Sequence, residues 1–191
     1  RYSMDGVFPT TGNYFSDNPD PNRWKQIQQD LGLSLKDWRP NGVHILICTQ
    51  RNGGWSMKGL NVMEWLNKTV KEIRQYSDRP IIVRAHPGDR NAQRYLKKDR
   101  RWKISESESI LQDLENAWVT VTYNSSPGVV SAIQGVPVFV TDPTPIISQA
   151  YDIANTRLKL IETPGTFDRL KWLRKLSMCH WNFDELKSGE A

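Results

Sequence analysis

Four short apolar runs constrain this chain most: "VHILIC" (Val43 to Cys48), "RPIIVRAHP" (Arg79 to Pro87), "WVTVTY" (Trp118 to Tyr123) and "VPVFV" (Val136 to Val140). They are continuous rather than alternating, the pattern of strands buried on both faces of a parallel sheet. Helical patterns separate them. From Leu60 to Tyr76 the apolar residues Leu60, Met63, Trp65, Leu66, Val70 and Ile73 recur mostly at three- and four-residue spacing. "SESESILQDLENA" (Ser105 to Ala117) reads as an N-capped helix with acids in its first turn. "NSSPGVVSAIQG" (Asn124 to Gly135) reads as a helix with Ser125 or Ser126 at the N-cap, Pro127 just inside and Gly135 as the stop. Strands alternating with helices predict an α/β fold: a doubly wound, mostly parallel, Rossmann-like sheet with right-handed crossovers.

At 191 residues the chain is long enough for one sizeable core and short for two ordinary domains. Residues 1–42 are rich in Gly, Pro, Asn and Asp and read as an irregular N-terminal segment, with one helix around Arg23 to Leu31 ended by Gly32. Residues 43–166 read as a nucleotide-binding α/β domain and 167–191 as a helical tail. In that tail Phe167, Trp172 and Trp181 pack on the domain or on a missing partner half, and Gly189 ends the last helical turn. The chain opens on Arg1 rather than Met, which reads as an N-terminal piece missing or removed.

Eight Trp and six Tyr argue against a disordered chain. The formal net charge of +5 favours anionic partners: nucleotides, nucleic acid or acidic glycans. Solubility alone accounts for a bias of this size equally well. Two cysteines, one inside a buried run, do not make a disulfide framework, and a reducing cytoplasm is the expected location. No apolar run reaches the roughly 18 residues of a transmembrane helix, and no signal peptide is visible. The tripeptides Asn67-Lys68-Thr69 and Asn124-Ser125-Ser126 match the glycosylation acceptor pattern, which arises by chance.

In open α/β sheets ligands bind beyond the carboxyl ends of the strands. Three polar loops emerge there: Gln50 to Ser56, His86 to Arg90 and Asn124 to Gly128. In the third, small hydroxyl residues and Gly128 at a helix start present backbone N–H groups and a positive dipole end, which suits a phosphate. The bland alternative is that Ser125 and Ser126 merely cap the helix, worth about 1 kcal/mol and needing no ligand. His86 can bond a phosphate oxygen through a ring nitrogen, with Pro87 holding the turn, although a lone histidine at a strand end is more often structural. Arg51 and Arg84 are the expected phosphate cations, and Gly53-Gly54 allows close backbone approach. Neither a Walker loop nor a dinucleotide fingerprint is present, which argues against NTP hydrolysis and NAD chemistry. There is no metal-ligand spacing and no G-x-S-x-G elbow.

Three segments, "IIVRAHPGDR", "WVTVTYNSSPGVVSAIQGVPVFV" and "RLKWLRKLSMCHWNFDELKSGEA", together resemble the C-terminal half of GT-B type glycosyltransferases. The likeness is to the bacterial capsule polysaccharide proteins and the sialyl- and Kdo-transferases that use CMP-sugars. It covers about residues 80 to 191 and implies that His86 and Pro87 contribute to nucleotide binding while Ser125 and Ser126, in the turn from Asn124 to Gly128, hold phosphate. The family's base is a carboxylate in an acidic-acidic-Gly motif of the other half. Here Met4-Asp5-Gly6 departs from that motif by one Met, leaving Asp5 as the candidate base or a mere turn residue.

The expected function is therefore a metal-independent glycosyltransferase with no cofactor, taking a nucleotide-sugar as donor. The acceptor is a polysaccharide, a lipid-linked glycan or a modified DNA base. A non-catalytic nucleotide- or polyanion-binding module is the alternative from another class. The basic run "RNAQRYLKKDRRWK" (Arg90 to Lys103) interleaves cations with Tyr95 and Trp102, which is compatible with nucleic acid or another polyanion, or with a solvated surface. A full enzyme of this type is about twice as long, so a partner domain or a homo-oligomer belongs to the expectation.

Overall fold

The computed structural model describes residues 18–144 and 148–189. In chain order the elements are α1 (Pro21–Leu31), β1 (His44–Cys48), α2 (Val62–Ile73), β2 (Ile81–Arg84), α3 (Ala92–Tyr95), β3 (Lys103–Ile104) and α4 (Ile110–Leu114). They continue with β4 (Ala117–Thr122), α5 (Pro127–Ile133), β5 (Val138–Val140), β6 (Ala154–Asn155), α6 (Leu170–Ser177) and α7 (Phe183–Ser188). Six strands form one all-parallel sheet in the order β3-β2-β1-β4-β5-β6. The order runs outward in both directions from the β1/β4 pair, so the topological switch point, where such folds take ligands, lies between those two strands.

Strand alternation builds the two layers. Ile45 and Ile47 of β1 face α2, packing with Val62, Trp65, Leu66, Val70 and Ile73. Leu46 and Cys48 point to the opposite layer, with Leu114 of α4 and Val136. Further along that layer, Val138 and Val140 of β5 meet Trp24 of α1 and Trp172, Leu173 and Leu176 of α6. Helices from both ends of the chain thus share one core. The ion pair of Arg23 with Glu185 and the Arg23 guanidinium, 4.0 Å from the Trp181 ring centre, join α1 to α7.

The helices start where local chemistry allows. Asn61 caps α2 by accepting from the Met63 and Glu64 amides, and Asp20 caps α1, which stops at Gly32 in the left-handed region. Gly135, at φ 77°, ends the α5 turn where a Cβ would lie 2.0 Å from the Asp37 carbonyl oxygen. Only glycine fits there.

Two expectations change. Strands β3 and β6, two residues each, were not legible as strands; both lie at sheet edges. The helix expected from Ser105 starts only at Ile110, after a capping box of Ser109 and Gln112, so Glu106 and Glu108 precede it. The reason is Arg84: its guanidinium bonds the Ser107 carbonyl at 3.0 Å and the Glu108 carbonyl at 3.1 Å, taking acceptors that a helix from Ser105 would use. Among the described residues, no helix is long and apolar enough to cross a membrane.

Candidate functional site

The switch point is built by side chains that close the loops after β1, β4 and β5 onto one another. Gln50, 5% exposed, follows β1. Its Oε1 accepts the Asn124 backbone N–H at 3.1 Å and its Nε2 donates to Ser56 Oγ at 2.7 Å. Asn124 Nδ2 donates to the Ser56 carbonyl at 3.0 Å and to Asp142 Oδ2 at 2.7 Å. Asp142 follows β5 by two residues and also accepts the Thr144 amide at 2.9 Å, while Lys58 Nζ lies 3.3 Å from its Oδ1. Burial, reinforced by the neighbouring Asp142 carboxylate, pushes the Tyr123 hydroxyl pKa up. The backbone N–H and Nδ2 of Asn124 are therefore held by the scaffold and shape the turn.

What the turn leaves open lies one residue further on. Among the described residues no acceptor meets the backbone N–H of Ser125 or Ser126. The Ser125 Oγ and the Thr122 Oγ1 are buried and have no hydrogen-bond partner among the described residues. Ser126 occupies the N-cap position of α5 but its side chain makes no capping bond, and it is exposed. The capping alternative therefore does not account for these serines. Gly128 donates its N–H to the Ser125 carbonyl at 3.1 Å, and an added Cβ would meet Ala150 Cβ and Val138 Cγ1 at 3.2 Å. Its lack of a side chain lets α5 lie close on the sheet.

The β2 loop is fixed separately. His86 Nδ1 accepts the Gly88 N–H at 3.0 Å, which leaves Nε2 as the ring nitrogen that can donate outward. Pro87 is exposed between them. Asp89 ties this loop to the first: it accepts the Asn52 amide at 2.8 Å, the Asn91 amide at 3.0 Å and the Tyr95 hydroxyl. Desolvation works against the Asp89 carboxylate, but those three hydrogen bonds and the nearby His86 outweigh it and hold its pKa below the usual value.

The two arginines expected at the phosphate part company. Arg51 is exposed, with its carbonyl accepting the Gly54 amide at 3.1 Å in a turn where Gly53 has φ 69°, and its guanidinium makes no hydrogen bond among the described residues. Arg84 is instead committed to Asp113, 2.6 Å away and 3% exposed at its side chain, and to the carbonyls before α4. Tyr95 and Trp102 are not surface aromatics. Trp102 is 4% exposed within the α2-side core and Tyr95 is half-buried on Asp89, so neither offers a free face for a base, while Arg94, Lys97, Lys98 and Arg100 stay exposed. Asp5, with Met4-Asp5-Gly6, lies outside the described residues. Burial pushes the Cys48 thiol up to about 12, and both Cys48 and Cys179 are buried thiols that form no disulfide among the described residues.

Sequence reasoning did not single out Gln50, Lys58, Asp89 or Asp142. Asp142-Pro143-Thr144 carried one usable signal, an acid turning the chain immediately after a buried strand.

A six-stranded parallel sheet wound on both faces, with polar loops gathered at its switch point, defines the class: an α/β, doubly wound, Rossmann-like fold. Solved structures bear this out. A β-Kdo 2,4 transferase, KpsC of Thermosulfurimonas dismutans, superposes with a TM-score of 0.54 at 16% identity, covering 84% of this chain and 57% of that one. A β-Kdo 2,7 transferase KpsC of the same organism superposes with a TM-score of 0.52 at 14% identity, covering 86% of this chain and 60% of that one. The chain thus spans less than two thirds of either transferase, and at these identities the likeness is one of fold. No protein-family model matches the chain, and no curated protein matches its sequence.

Proposed function

We propose that this chain is the donor-binding half of a glycosyltransferase-like protein. In this reading the phosphate of a nucleotide-sugar sits on the Ser125-Ser126 turn at the β1/β4 switch point. The observation that carries it is the set of unmet donors there: two backbone N–H groups and a buried Ser125 hydroxyl, none with a partner among the described residues. A buried hydroxyl left unbonded costs about 1–3 kcal/mol, and rotating Ser125 Oγ onto a phosphate oxygen breaks no existing bond. His86 Nε2–H and the Arg51 guanidinium supply further donors from the neighbouring loops. All act by stabilising the charge that grows on the departing nucleotide phosphate, with the scaffold of Gln50, Asn124 and Asp142 holding the turn in place beforehand. Both transferases that share the fold are named for sugar transfer, which supports a sugar-nucleotide as the ligand.

Deprotonating the acceptor hydroxyl requires a general base, and the Asp5 carboxylate is the group this reading assigns to it. The acceptor is a glycan or another hydroxyl-bearing molecule. Because the chain covers 57% and 60% of the two transferases, the complete reaction is assigned to this half together with a second domain or a second copy. Calorimetric titration of CMP, CDP, UDP, GDP and ADP tests the reading. One of them should bind, with Ser125→Ala and His86→Ala each weakening it about tenfold or more. Binding that neither substitution changes, or no binding at all, removes the proposed site.

A further inference from the structure

The segment from Arg90 to Lys103 carries the chain from the β2 loop to the edge strand β3. It holds seven of the protein's 26 Lys and Arg residues but one of its 21 Asp and Glu residues. The remaining 177 residues hold 19 cations and 20 acids, so the net charge of +5 originates in this one segment. A surface that serves solubility intersperses both signs, as α2 does with exposed Glu64, Lys68, Lys71 and Glu72. Protection of a sheet edge accounts for Lys103 on β3 and for nothing before it.

The cations sit on a fixed frame. Leu96 and Trp102, each 4% exposed, anchor the segment in the α2-side core, and the Tyr95 hydroxyl bonds the Asp89 carboxylate. A bridge between Asp99 and Trp102 closes the turn between them. Arg101 pairs with Asp99 at 2.8 Å and reaches Asn67 of α2 at 2.8 Å, which engages the one acid of the segment. Arg90, Arg94, Lys97, Lys98 and Lys103 are exposed, and among the described residues no hydrogen bond or ion pair involves their side chains.

The segment exposes no large apolar side chain that could anchor it in a bilayer. With Trp102 in the core and Tyr95 held on Asp89, it offers no ring on which an unpaired base or a sugar can stack. Recognition is left to charge. A nucleic acid duplex carries one charge per about 1.7 Å of its axis, the density such a cluster matches, whereas a glycan with one carboxylate per sugar is sparser. Four of the seven cations are arginines, whose planar forks fit phosphate oxygens. We propose that Arg90 to Lys103 is a docking surface for the phosphate backbone of duplex nucleic acid, bound without regard to base sequence. It goes beyond the donor-site reading and uses none of the groups on the Ser125-Ser126 turn.

Fluorescence anisotropy of a labelled DNA duplex, titrated with the full chain at several salt concentrations, tests the proposal. Five phosphates neutralised predict a slope of about −4 to −5 for the logarithm of affinity against that of salt. Lys97→Gln with Lys98→Gln should weaken binding about tenfold or more at low salt and flatten the slope by about two units. The urea midpoint of this variant should stay in place, because neither side chain makes a bond that folding needs. Lys25→Gln with Lys171→Gln removes the same charge from exposed positions on α1 and α6 and should leave binding nearly unchanged. Equal losses in the two variants, or no duplex binding at low salt, overturn the proposal. So does tighter binding of single-stranded DNA, polygalacturonate or phosphatidylglycerol vesicles than of the duplex at equal charge concentration.

Discussion

Gln50 Oε1 accepts the backbone N–H of Asn124 across the β1/β4 switch point at 3.1 Å, joining two loops that are 74 residues apart in sequence. That one side chain closes the scaffold on which the Ser125-Ser126 turn rests. Replacing it tests whether the turn depends on it. Gln50→Ala strands the buried Asn124 amide and frees Ser56 Oγ, and should lower stability by about 1–3 kcal/mol. A lower urea midpoint with an unchanged slope is the expected result.

Arg84→Met separates a structural arginine from a phosphate-binding one. Asp113, 3% exposed at its side chain, would lose its cation and keep only the Ser105 hydroxyl among the side chains that bond it in the described residues. Breaking such a pair costs about 3–5 kcal/mol, discounted here because the Arg84 side chain keeps 18% exposure. Unfolding by urea should report a large loss, while nucleotide affinity of the folded protein stays as it was. A selective loss of affinity would return Arg84 to the binding site.

Acid should loosen the junction of the first two loops. The Asp89 carboxylate titrates below its ordinary 3.8 in the folded protein, so its contribution is present above that pH and is lost as pH falls through the lowered native value. Asp89→Asn should remove this part of the acid limb. Intrinsic fluorescence followed from pH 5 downward, in both proteins, should show a shallower decline for the variant.

Native thiols should be silent. Burial holds Cys48 near a pKa of about 12, and Cys179 is 1% exposed. A disulfide reagent at pH 8 should titrate no thiol in the folded chain and two after denaturation. Rapid reaction of one thiol without denaturant would contradict the burial described.

Much of the fold was legible because its central strands are buried on both faces. "VHILIC" and "WVTVTY" advertise that burial without needing context, as does Gly135 at the end of α5. The edge strands β3 and β6 could not be read, since two residues carry no periodicity. The site was legible as a set of loops rather than as a set of contacts. Ser125 and His86 stand out by type and position, but the partner that takes Arg84 away lies 29 residues downstream. Lys58 and Asp142 lie 84 residues apart, and only the closing of the sheet joins them. Trp102 was read with the cations around it, whereas its own bulk sends it into the core.

The central claim concerns two backbone amides, and they can be observed directly. In a nitrogen-15 correlation spectrum, a nucleotide that binds this turn should shift the Ser125 and Ser126 amide protons downfield, as N–H groups without an acceptor gain a phosphate oxygen. Gly128, whose N–H already bonds the Ser125 carbonyl, should move less. Saturating nucleotide that leaves the Ser125 and Ser126 resonances in place, whether or not other regions respond, would contradict the account.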